Sequence, residues 1–153
     1  SINKYEHDIV GFNSRLDPIQ AVVLKEKLKY LENWNDIRRK NYRKYKDQLK
    51  GLEQVKLIEE PKYSEGVFHL TVVKVKNRKN LINYLNKNKI STIIHYPLPL
   101  HKTKAYKNYN FKKGEFRNAE KLAKEILSLP NYPGITDQQI NFVCEKINNF
   151  YNG

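Results

Sequence analysis

Two short stretches of this sequence carry residue types that packing alone does not call for. In Gly11-Phe-Asn-Ser-Arg-Leu-Asp17, Gly11 permits a close backbone approach, Asn13 offers an amide donor, and Arg15 offers a planar fork matched to phosphate or carboxylate. In His95-Tyr-Pro-Leu-Pro-Leu-His101, an imidazole and a phenol enter a loop stiffened by Pro97 and Pro99, with a second imidazole at its far end. A guanidinium, an imidazole and a phenol that converge can together hold a phosphate-bearing ligand. Each residue also has a structural reading. Asn13 could stabilise a turn, Arg15 could pair with Asp17, and His95 and His101 could be hydrogen-bonded residues that fix a loop.

Other reactive side chains read structurally. His7 and His69 have no metal-binding or base partner among their sequence neighbours. Cys144 falls beside the inward face of the last expected helix with no activating neighbour, the pattern of a small packing residue. Trp34 and the tyrosines near it lie on a helical stripe and read as core or interface rather than as a base-stacking platform. The sequence has no phosphate-cradling glycine loop, metal motif or internal repeat.

The elements that must position these groups follow from periodicity and caps. Asp17 is an N-cap and Pro18 a first-turn residue, and apolar residues then recur with helical period from Ile19 to Leu49, before Gly51. The pattern predicts one long helix over residues 18–50, roughly 48 Å at 1.5 Å per residue, which is more than a domain of this size needs for itself. Such a helix should bridge something. The β-branched and aromatic run Val67 to Val75 predicts a strand, Asn77 a helix cap, Leu81, Ile82 and Leu85 one helix face, and Ile90 to Ile94 a second strand. If those strands are parallel neighbours, the unit is a right-handed crossover. Pro97 and Pro99 exclude regular structure, and Lys102 to Lys113 reads as an exposed loop containing Tyr106 and Tyr109. Glu115 to Ile126 predicts a helix, and Leu127 to Pro130 a short apolar segment before the turn Asn131 to Gly134. Thr136-Asp-Gln-Gln139 is a capping box opening a last helix with Ile140, Val143, Ile147 and Phe150 inward.

With 153 residues the chain can form one compact domain with a real core, and its mean hydropathy of -0.79 implies a very polar surface. No apolar run approaches the ~20 residues of a bilayer span. The first residues lack the basic-then-apolar pattern of a secretory signal, and a single cysteine excludes an intrachain disulfide and a cysteine-ligated metal site. A reducing, cytoplasmic setting fits. The net charge of +13 makes polyanions conceivable partners, yet only six of the 29 basic residues are arginine. A lysine-rich solvated surface explains that balance without a nucleic-acid interface, which is held as an alternative.

Four ordered stretches, Gly11-Phe-Asn-Ser-Arg-Leu-Asp-Pro-Ile-Gln-Ala21, the helix ending in Trp34 to Tyr45, His95-Tyr-Pro-x-Pro-Leu-His101, and Leu127-Ser-Leu-Pro-x-Tyr-Pro-Gly134 with Thr136-Asp-x-Gln139, together resemble the C-terminal part of the DegT/DnrJ/EryC1/StrS sugar aminotransferases. The resemblance covers essentially the whole chain. It implies an α/β fold, the C-terminal small domain of a fold-type I pyridoxal phosphate transferase, with a long bridging helix and a short sheet flanked by helices. Residues 1–17 would be a contact segment from the end of the large domain, residues 18–50 the bridging helix, and residues 51–153 the small domain.

The same resemblance implies a cytoplasmic homodimer that moves an amino group, usually from glutamate, to a nucleotide-linked keto sugar. Asn13 would reach the phosphate of pyridoxal phosphate in the neighbouring subunit. Arg15, His95 and Tyr96 would hold the sugar nucleotide, and His101 either contacts it or fixes the loop. The His-Tyr-Pro-x-Pro-Leu-His form resembles enzymes acting at C3. In the family the lysine that forms the Schiff base lies upstream of the Gly-x-Asn-x-Arg segment, and Lys4 lacks its surrounding pattern. The chain is therefore expected to be a fragment that does not transaminate alone. A non-catalytic regulatory remnant is a further alternative.

Overall fold

In a computed structural model, residues 12, 14–103, 106 and 109–153 are described, and they fall into two compact units, residues 1–32 and 33–153. Lys4, His7, Gly11 and Asn13 lie outside the described residues.

The first unit contains α1 (Pro18–Leu28). Its start follows from local chemistry: Pro18 needs no amide partner, and the Asp17 carboxylate accepts the backbone N–H groups of Ile19 at 2.9 Å and Gln20 at 3.3 Å. None of its residues is buried, and Ile19, Val22, Val23, Leu24 and Leu28 are all exposed. A turn at Lys29–Tyr30 separates α1 from α2 (Leu31–Gln48), so two helices stand where one uninterrupted helix over 18–50 was expected. The interruption is local: the amides of Lys29 and Tyr30 turn back to Glu26 and Lys27 three residues earlier. Gly51, at a φ of 94°, follows the end of α2 in the left-handed region that an L side chain resists.

The second unit is built on an antiparallel sheet in the order β1 (Val55–Leu57), β2 (Thr71–Val75), β3 (Ile126–Leu129). α3 (Arg78–Lys87) and α4 (Arg117–Glu125) precede β3, and α5 (Asp137–Asn152) follows it. Val73, Val75, Leu127 and Leu129 of the sheet share one core with Tyr45 of α2, Leu49 just after it, Leu81 and Leu85 of α3, and Ile140 and Ile147 of α5. Cys144 is buried in the same core, as a packing residue should be. At about 25 cal/mol per Å2 of apolar surface removed from water, this shared core is the main force holding the helices to the sheet. The capping box at Thr136 is present in both directions: the Thr136 hydroxyl accepts from the Gln139 backbone N–H, and the Gln139 side-chain oxygen accepts from the Thr136 backbone N–H.

Several local expectations give way to longer-range packing. The strand expected from Val67 begins only at Thr71, because Phe68 takes a left-handed φ of 49° and stacks on Tyr42 with ring centroids 3.7 Å apart. His69 is exposed at the bend before β2, outside the strand assigned to it. Asn77 precedes α3 but makes no side-chain cap; it adopts φ 52°, a conformation asparagine tolerates, and its carbonyl accepts from Asn80 and Leu81. Among the described residues no parallel crossover forms. Residues 90–94 contribute one antiparallel bridge, Ile93 opposite Ser128, while the apolar run after α4 is the strand β3. The helix expected to reach Ile126 stops at Glu125, where Ile126 turns extended and the chain enters β3 without a loop.

Candidate functional site

The loop His95 to His101 is tied to the second unit near both ends. On the first side, Ile93 and Ser128 exchange backbone hydrogen bonds at 2.8 and 3.3 Å, which fixes the chain two residues before His95. His95 Nδ1 then lies 2.9 Å from the Ser128 hydroxyl. Ser128 is the polar exception in Ile126-Leu-Ser-Leu129. Strand alternation sends Leu127 and Leu129 into the core and Ser128 to the opposite face, where it is also buried.

Tyr96 follows His95 through a cis peptide bond, with the two rings edge to face at 5.5 Å. Its ring is 71% exposed, and Leu98 and Leu100 are exposed beside it. The loop thus presents a phenol and two aliphatic side chains outward from a fixed imidazole, a combination suited to a ligand with both polar and flat or apolar parts.

At the far end, a 3-10 turn over Leu100–Lys102 delivers His101 to α4. Its Nε2 lies 3.3 Å from Glu120 Oε1, and Lys102 Nζ lies 2.7 Å from Glu120 Oε2. These two partners hold the Glu120 carboxyl below its ordinary value, Lys102 first and His101 second. The His101 ring packs against Phe116 at 4.7 Å and Phe111 at 6.2 Å, which leaves 13% of its side chain exposed. The tyrosines of the loop beyond join the cluster: Tyr106 packs on Tyr109, and Tyr109 on Phe111. His101 is thus tied to α4 by Glu120 and by the two aromatic rings.

A third polar centre follows β3. Asn131 Nδ2 donates to the Thr71 hydroxyl at 2.8 Å and the Phe68 carbonyl at 3.1 Å, and its Oδ1 accepts from buried Asn41 at 3.2 Å. Tyr45, fully buried, donates its hydroxyl to the Pro130 carbonyl at 2.8 Å. These bonds set the end of β3 and therefore the strand that carries Ser128.

Of the expected site residues, His95, Tyr96 and His101 lie on one loop of the second unit. Arg15 belongs to the first unit, where it is exposed. The Asp17 carboxylate accepts the first amides of α1, and no ion pair between it and Arg15 is found among the described residues. Asn13 lies outside the described residues. Sequence reasoning passed over Ser128 and Glu120, the side chains that hold the two histidines. The one signal available was a serine inside an otherwise apolar run. Among the described residues no group of three or more His, Cys, Asp or Glu could hold a metal ion, and no helix is long and apolar enough to cross a membrane.

Comparison with known proteins shows what the chain is similar to. The model of the DegT/DnrJ/EryC1/StrS aminotransferase family matches residues 1–148. The "Pleiotropic regulatory protein" of Geobacillus stearothermophilus is 40% identical over 153 residues, covering 97% of this chain and 40% of the relative. The dTDP-3-amino-3,6-dideoxy-alpha-D-galactopyranose transaminase of Aneurinibacillus thermoaerophilus is 37% identical, with 98% of this chain and 40% of that protein covered. The crystal structure of DesV from S. venezuelae superposes with a TM-score of 0.91 at 33% identity, over 100% of this chain and 41% of that one. The chain spans about 40% of the length of the relatives it matches.

Proposed function

The chain belongs to the DegT/DnrJ/EryC1/StrS aminotransferase family, and from that premise we propose that it is the substrate-holding part of a nucleotide-sugar aminotransferase. The observation that carries the reading is the His95–Tyr96 corner, held by the backbone bridge at Ile93 and by the Ser128 hydroxyl, with the phenol left outward. A loop braced in this way loses little freedom when it binds, which favours positioning over mere capture.

In this reading His95 donates to a diphosphate oxygen, Tyr96 meets the sugar nucleotide with its ring and hydroxyl, and Arg15 grips phosphate with its fork. Asn13, an amide able to donate to phosphate, reaches the cofactor. Pyridoxal phosphate, when bound, supplies the electron sink through which an amino group leaves glutamate and joins the keto sugar. The lysine that would carry the cofactor belongs to a part of the protein beyond these 153 residues, so this chain alone transfers no amino group. The complete protein works as a cytoplasmic homodimer. The His-Tyr-Pro-Leu-Pro-Leu-His form and the 3-amino product named for the Aneurinibacillus relative both favour a 3-keto sugar on a nucleoside diphosphate.

A second reading, a regulatory protein that binds such a ligand without turning it over, is favoured by the name of the Geobacillus relative. One experiment separates the two. The full-length protein, loaded with pyridoxal phosphate and treated with glutamate, is mixed with a nucleoside-diphosphate 3-keto sugar, and the sugar is weighed by mass spectrometry. The proposal expects the keto oxygen to be replaced by an amino group. Binding with no mass change favours the regulatory reading.

A further inference from the structure

Ser128 stands out because everything about it except the hydroxyl is already committed. Its backbone N–H and C=O are both spent on Ile93, its strand neighbours Leu127 and Leu129 fill the core, and the residue is 6% exposed. A buried hydroxyl left undonated costs about 1–3 kcal/mol, which favours an arrangement in which it gives its proton to an acceptor. Among the described residues the partner within reach is His95 Nδ1, at 2.9 Å.

A serine that donates to Nδ1 requires that nitrogen to offer its lone pair. The neutral ring then carries its proton on Nε2. We propose that Ser128 is a positioning residue for substrate binding: it holds the His95 imidazole with Nε2–H facing outward, so that the neutral ring donates a hydrogen bond to an anionic oxygen of the sugar nucleotide. This rests on the substrate role given to His95 above and adds what sets its orientation and tautomer. The two ties are complementary. The Ile93–Ser128 bridge fixes the backbone and the hydroxyl fixes the ring, so one strand residue determines both where the imidazole stands and which nitrogen it offers.

Two measurements test this, and they fail separately. In the first, the 153-residue chain is labelled with 15N at histidine and the ring nitrogens are assigned through their couplings to the ring C–H protons, above the pH range in which histidine is charged. The expected result is a proton on His95 Nε2 and an Nδ1 resonance that moves in Ser128→Ala. A proton on Nδ1 in the unaltered chain, or an Nδ1 resonance indifferent to Ser128→Ala, overturns the role of Ser128.

In the second, full-length protein carrying Ser128→Ala or Ser128→Thr is assayed in each half-reaction. Ser128→Ala should raise KM for the keto-sugar nucleotide about 3- to 10-fold, the size of one hydrogen bond, with the glutamate half-reaction unchanged. Ser128→Thr, which keeps the hydroxyl, should restore it. An unchanged KM, or equal losses in both half-reactions, overturns the proposal. A ring held as stated in a protein that takes no sugar nucleotide overturns the functional reading instead. Should the alanine variant fail to fold, the tautomer of the unaltered chain still decides.

Discussion

Glu120 on α4 stands 3.3 Å from His101 Nε2 with one carboxylate oxygen and 2.7 Å from Lys102 Nζ with the other. The far end of the loop that begins at His95 is therefore pinned by a single acidic residue. The carboxyl is held below its ordinary value of 4.5 by Lys102 and then His101. A folded-state value lower than the unfolded one means that the contribution is complete above the unfolded value and is lost as pH falls through the folded one. The contacts of Phe111 and Phe116 with His101, followed by ring NMR, should persist at neutral pH and loosen under acid. Glu120→Gln should loosen them already at neutral pH. Contacts that stay intact in Glu120→Gln would show that aromatic packing alone holds the loop.

Asn131, just beyond β3, joins three other elements to it through its side-chain amide: the Phe68 bend, β2 at Thr71 and α2 at Asn41. Asn131→Ala leaves Asn41, 3% exposed, with one partner fewer and the Thr71 hydroxyl without its donor. The expected loss is about 1–3 kcal/mol in urea unfolding. Asn131→Asp should cost more, because a carboxylate oxygen would face the Phe68 carbonyl in place of the N–H. An aspartate variant more stable than the alanine one would refute this account of the hub.

Cys144 is 1% exposed, and burial pushes its thiol up to about 12. The native chain at pH 8 should therefore not react with a thiol reagent on the timescale in which the urea-unfolded chain reacts completely. Rapid modification of folded protein would mean that α5 opens far more readily than its packing in the core implies.

α1 has good caps but buries nothing. An isolated helix of 11 residues is marginal in water, since capping offsets only part of the nucleation cost. In the 153-residue chain, backbone amides from Ile19 to Leu28 should exchange with solvent far faster than those of α3 and α5. In the proposed full-length protein they should become protected. Equal protection of α1 and α5 in the short chain would contradict this.

How far the sequence could be read depended on distance along the chain. The caps at Asp17 and Thr136 were legible because donor and acceptor lie within three residues. His95, Tyr96 and His101 were legible by type and by the prolines between them. Their anchors were not, since Ser128 is 33 residues from His95 and Glu120 is 19 from His101, and no local pattern announces such a pair. The sheet failed for the same reason. β1 has three residues and β3 four, too few for a period of two to stand out, and both exist because β2 lies between them. The break at Lys29–Tyr30 fell within an apolar stripe that continued through it, so periodicity alone joined two helices into one.

In the proposed reading this chain holds the sugar nucleotide through directed hydrogen bonds. The most direct test is titration of the keto-sugar nucleotide into full-length protein in its aminated form, comparing the unaltered protein with Arg15→Lys and His95→Ala. Lysine keeps the charge of Arg15 but loses the planar fork, so geometry is separated from attraction. Each variant should bind the sugar nucleotide roughly 10- to 100-fold more weakly, the size of a charge-assisted hydrogen bond, while cofactor retention and the glutamate half-reaction stay unchanged. Binding unaffected in both variants, or cofactor retention lost in step with sugar binding, would contradict the account.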